Sequence, residues 1–160
     1  MRFTLIKDLK QDALMKPILS GLLIFTLLYL LADVFVKQYT LGLFYDEIFL
    51  NLFGNEEEFL DPMLKSSFLE FWHIEIFFIM MLLLTLSAVF IRLYSNTSFN
   101  LLVLNTMLLS ALLCIISIAL SFFASEVFIH IYIISFFIWH ILALYMSIYS
   151  LWNLHYDPSL

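Results

Sequence analysis

The sequence predicts an all-α integral membrane protein: an antiparallel bundle of four transmembrane helices, with an outer amphipathic interfacial helix and both termini in the cytoplasm. Three observations lead there. Of the 160 residues, 64% are hydrophobic and 12% charged, against roughly half and about one quarter in a soluble domain; the mean hydropathy is +1.03. Four apolar runs, at 17–36, 66–93, 99–123 and 126–152, fill most of the chain. Each suffices to cross a hydrocarbon core of about 30 Å, which takes roughly 20 helical residues. Finally, Arg2, Lys7, Lys10, Lys16 and Arg92 flank one set of run ends, while only Lys37 and Lys65 flank the other. Basic residues mark the cytoplasmic side, which places the 37–66 segment outside. The whole chain forms a single membrane domain, expected in a bacterial inner membrane.

Each element has a local reason. Pro17 can open the first helix. That run is too long for the apolar core of a cleaved signal peptide, which spans about 7–15 residues, so it reads as a retained helix. In the next segment Leu41, Phe44, Ile48, Phe49, Leu52 and Phe53 recur at helical spacing, with Asp46, Glu47 and Asn51 between them. That pattern predicts an interfacial helix over 41–53, ended by Gly54-Asn55. Asp61-Pro62 reads as the N-cap and first residue of the second transmembrane helix. Thr97 or Ser98 caps the third, and Ser125 with Glu126 opens the fourth. The short turns make helices two, three and four antiparallel neighbours. Trp72 and Trp152 fall at opposite interfaces. Phe3 to Met15 reads as a second, weaker interfacial helix.

Small residues form two stripes, Ser110, Cys114, Ser117 and Ser121 in the third run and Ala143, Ser147 and Ser150 in the fourth. Such stripes let membrane helices approach closely. The lone Cys114 allows neither an internal disulfide nor a C-x-x-C site. No basic stripe suits nucleic acid, no phosphate cradle or catalytic triad is present, and the inverted repeats of many transporters are missing. No motif requires an enzyme.

Function therefore rests on the few ionisable residues in or beside the apolar runs, where charge is costly and marks sites. Counted by depth, Asp33, Glu70, His73, Glu75, Glu126 and His130 share one outer layer. Glu70 and His73 project together at i, i+3, as do Glu126 and His130 at i, i+4. Glu70-x-x-His73 matches the element that di-metal helical bundles use, although those carry it twice. Two cofactors suit the layer. Haem b needs two imidazoles from different helices at one depth, which His73 and His130 supply. A divalent metal suits His73 and His130 with Glu70 and Glu126. The ordinary alternative is that all these side chains meet water and headgroups.

His140 stands apart, about 18 Å from Trp152 and so near the midplane. It should point inward, hydrogen-bonded to Ser110, Ser117, Thr85 or Ser87, or act with Asp33 as a buried proton site. Three readings follow: a haem- or metal-binding protein for electron transfer or sensing, a non-catalytic accessory or scaffold subunit of a larger membrane complex, and a small channel or transporter with His140 and Asp33 along its path. The expected partners are the lipid bilayer and either other membrane subunits or further copies of this chain, with no nucleic acid.

Overall fold

The computed structural model describes residues 14–93 and 98–156. Five α-helices follow in order: α1 Met15–Thr40, α2 Tyr45–Phe53, α3 Lys65–Leu93, α4 Ser98–Phe123 and α5 Phe128–Tyr156, with a 3-10 turn at Glu56–Glu58. Four of them, α1, α3, α4 and α5, are long and apolar enough to cross a membrane. The bundle is an all-α transmembrane assembly. The segment Phe3 to Met15 lies almost wholly outside the described residues, as do the turn at 94–97 and Thr97.

The long helices bury stripes whose members recur at steps of three or four residues. In α1 the stripe is Leu19, Leu23, Thr26, Leu30, Asp33 and Lys37. In α4 it includes Val103, Met107, Ser110, Cys114, Ser117 and Ser121. In α5 it includes Tyr132, Phe136, His140, Ala143, Ser147 and Ser150. This spacing keeps one side of a helix against its neighbours. The opposite sides expose large apolar residues such as Phe25, Phe35, Leu84, Leu102, Leu109 and Ile141, which suit contact with acyl chains.

The centre of the bundle is α5, which packs on α1, α3, α4 and α2. Its contact with α4 is the most extensive. Ser110, Ala111, Cys114, Ser117 and Ser121 on α4 and Ala143 and Ser147 on α5 are all buried. Small side chains favour this because lipid tails are as apolar as leucine, so close packing rather than the hydrophobic effect holds membrane helices together. The serine hydroxyls donate to their own helices: Ser110 to Thr106 O, Ser117 to Leu113 O, Ser121 to Ser117 O and Ser147 to Ala143 O. Trp72 Nε1 donates to Ile115 O at 3.0 Å and ties α3 to α4.

Several boundaries differ from the expectations. Helix α1 runs one turn beyond its apolar run, to Thr40, and stops at Gly42, whose N–H donates to Lys37 O at 2.8 Å. Gly42 has φ +92°, and a Cβ there would collide with the Glu47 side chain, so glycine is required. Residues 41–44 form this turn, and α2 begins at Tyr45. Glu47 holds the turn: its carboxylate accepts from Leu43 N–H at 3.0 Å and from Gln38 Nε2 at 3.0 Å. Helix α3 starts at Lys65 rather than at Pro62. Before it, Met63 N–H donates to Leu52 O at 3.2 Å, which binds the connecting chain to α2 instead.

Candidate functional site

Four charged or ionisable side chains meet inside the bundle, from three helices: Asp33 and Lys37 of α1, Glu75 of α3 and His140 of α5. Asp33 lies about 10 Å inside the α2-side end of α1, and Glu75 and His140 about 15–18 Å inside the same ends of α3 and α5. Lys37 is 2% exposed, yet its flexible stem brings the ammonium to within 2.6 Å of Glu75 Oε1 and 4.0 Å of Asp33 Oδ1. The rings of Phe71 and Phe136 flank Nζ at 5.3 and 5.7 Å, where their faces attract a cation.

His140 closes the cluster. Its Nε2 lies 2.7 Å from Leu30 O. A carbonyl only accepts, so Nε2 carries the proton. In a neutral ring Nδ1 is then an acceptor, and it faces Asp33 Oδ2 at 3.8 Å. Two acceptors repel unless a proton resides on one of them. The charge count agrees. Lys37 offsets only one of the carboxylates Asp33 and Glu75, and an uncompensated buried charge costs several kcal/mol. One additional proton, held by Asp33, Glu75 or His140, makes the cluster neutral. The cluster thus sets two carboxylates and one imidazole around a single ammonium inside the bundle.

This geometry departs from the expected serine or threonine partners of His140. Three of those hydroxyls are turned to their own helices, Thr85 to Met81 O, Ser110 to Thr106 O and Ser117 to Leu113 O, and His140 reaches α1 instead. Asp33 was expected within a turn of the outer surface and His140 near the midplane. They meet because α1 continues to Thr40, which sets Asp33 two turns deep. Lys37, read from sequence as a loop charge, is the residue that sequence reasoning missed. Its signal was present: Asp33 and Lys37 continue the stripe of Leu19, Leu23, Thr26 and Leu30.

The outer histidine layer is arranged differently. His73, Glu70, Glu126 and His130 are all exposed. The His130 ring stacks on Tyr45 of α2, with centroids 4.6 Å apart and planes at 10°. Among the described residues no group of three or more His, Cys, Asp or Glu side chains is placed to hold a metal ion.

Residues 42–159 match the model of a family, Aq_1264_TM, described as a transmembrane helical domain. The matched stretch contains Glu75 and His140 and begins after α1, which carries Asp33 and Lys37. No curated protein matches the chain, and no solved structure does.

Proposed function

The chain belongs to the Aq_1264_TM family of transmembrane helical domains, and on that premise we propose that it is a small proton-handling membrane protein, of the channel or transporter kind, whose Asp33–Lys37–Glu75–His140 cluster binds and releases one proton inside the bilayer. The observation that carries this reading is the placement of the His140 ring between Leu30 O and the Asp33 carboxylate. With Nε2 donating to Leu30 O, Nδ1 faces Asp33 Oδ2 across 3.8 Å, too far for a direct hydrogen bond, and a proton on either atom favours their approach. Ionisable groups at such depth are expensive in a membrane protein and belong to relays and ion pathways. Glu75 is the most exposed member at 17% and is the natural point of exchange.

A haem b or divalent-metal role for His73 and His130, with Glu70 and Glu126, has no comparable support, since each of these side chains is exposed. A docking subunit is the second reading. It rests on Phe59, which is 95% exposed at φ +54° in the turn beside Glu56 and Glu57. A bulky residue held in the left-handed region is uncommon and points to a functional constraint.

Infrared difference spectroscopy on the protein in lipid membranes tests the first reading. Changing pH should produce a protonated-carboxyl band that shifts or vanishes in Asp33→Asn or Glu75→Gln. A spectrum with no carboxyl or imidazole change attributable to these residues across the whole stable pH range would overturn it.

A further inference from the structure

Below the cluster, on the side away from α2, the stripe of α5 continues as His140, Ala143, Ser147, Ser150 and Asn153, and every member is buried. It covers about 20 Å along the axis and ends close to the last turn of the helix. Its composition alone says only that helices pack closely here. The polar atoms say more. Ser150 is 0% exposed and Asn153 9% exposed, yet Ser150 Oγ and Asn153 Oδ1 have no hydrogen-bond partner among the described residues. On α3, Ser87 Oγ is likewise buried and unpartnered. Ser87 and Ser150 each lie six residues from the end of their helix on this side, so they share one depth on two packed helices.

Serines in a membrane helix normally satisfy themselves on the preceding turn, and Ser147 does so by donating to Ala143 O at 2.8 Å. Ser150 and Ser87 do not. Buried polar atoms left without protein partners are the groups that ordered water serves. At the far end the same side of the bundle carries His155, whose Nε2 lies 3.5 Å from Ser20 Oγ of α1, an exposed contact. The unpartnered polar atoms thus form two groups, Asn153, Ser150 and Ser87 toward the exposed His155, and His140 Nδ1 and Asp33 Oδ2 in the cluster about 15 Å along α5, with Ser147, bonded to Ala143 O, between them.

We infer that this stripe is a water-binding proton path that connects the buried cluster to the bundle face opposite α2, with Ser87, Ser150 and Asn153 as its water-binding groups. The inference rests on the proton-binding reading and gives it a direction: exchange at Glu75 serves one side, and the α5 stripe serves the other. No covalent step is involved. A proton enters on one water and leaves on another, and the hydroxyls of Ser87 and Ser150 and the amide of Asn153 orient those waters.

The test uses the full chain in phosphatidylcholine–phosphatidylglycerol vesicles that enclose a pH-sensitive dye, with potassium and valinomycin clamping the membrane potential. The wild type should dissipate an imposed pH gradient faster than protein-free vesicles. Ser150→Leu, which fills the stripe with an apolar side chain, should return the rate to that of empty vesicles. Ser150 is fully buried, so Asn153→Leu, nearer the helix end, is the second variant and should show the same loss. Both should keep the infrared carboxyl response of Asp33 and Glu75. A folded Ser150→Leu or Asn153→Leu protein with undiminished flux overturns the path, as does a wild type with the infrared response and no flux. A wild type lacking the infrared response would instead remove the proton-binding reading on which the path depends.

Discussion

Two groups of four polar side chains, alike in composition, occupy opposite environments in one bundle. Glu70, His73, Glu126 and His130 are exposed, and the best contact among them is the stack of His130 on Tyr45. Asp33, Lys37, Glu75 and His140 are drawn inside, with a 2.6 Å ion pair and a 2.7 Å hydrogen bond to backbone. Depth does not separate them cleanly, since Glu70, His73 and Glu75 lie within two turns of one helix. Helix face does. Phe68, Glu75, Ile79, Leu82, Leu86, Val89 and Leu93 keep to one side of α3, and His73 falls off it. The comparison teaches that in a membrane bundle the register of a charge within the packing stripe decides its chemistry more than its distance from the surface.

Substitution at equivalent carboxylates should break or sharpen this contrast most. Glu75→Ala leaves Lys37 buried without its close partner and should cost about 3–5 kcal/mol, the penalty of opening a buried ion pair. Glu70→Ala on the same helix should cost about 0–1 kcal/mol, as exposed charges do. Unfolding in mixed micelles reads both. Equal losses would show that the two sites do not differ as their burial implies.

The histidines should show a smaller contrast. His140→Ala gives up the hydrogen bond to Leu30 O and should destabilise by about 1–2 kcal/mol. His130→Ala loses only a ring stack, about 0.5–1 kcal/mol, and His73→Ala should lie within about 0.5 kcal/mol of wild type. The same unfolding measurement ranks the three, and an order with His73 first would return attention to the outer layer.

The smallest effect concerns the turn that joins α1 to α2. The Leu43 N–H, then the Gln38 amide and the Phe44 N–H, stabilise ionised Glu47 and hold its carboxyl below the usual value for glutamate. The folded value is the lower one, so the contribution is complete above the unfolded value and disappears as pH falls through the folded value. Acidification should therefore loosen the turn without touching the cluster. The Leu43 amide signal in nuclear magnetic resonance should titrate in wild type and lose that transition in Glu47→Gln.

Much of this was legible before any coordinates. Four spans, the amphipathic stretch before Gly54 and the isolation of His140 all follow from composition and spacing. Asp33 and His140 were both recognisable as costly residues in apolar runs. What misled was counting by depth, which grouped Glu75 with His73 and left Lys37 in a loop. Reading α1 as a stripe from Leu19 onward extends the helix to Lys37 and turns both charges inward.

The amino-acid sequence by itself determined the solvent of this protein and the faces of its helices. Hydrocarbon leaves backbone groups no partner but their own helix, so apolar runs of this length have one outcome. Only the tertiary structure decided which faces meet. No local rule brings Leu30 O to His140 or the Lys37 ammonium to Glu75, because these residues are far apart in the chain and are joined only when α1, α3 and α5 pack against one another. The cluster is a property of that packing: each charge alone would be too costly to bury, and they become tolerable together.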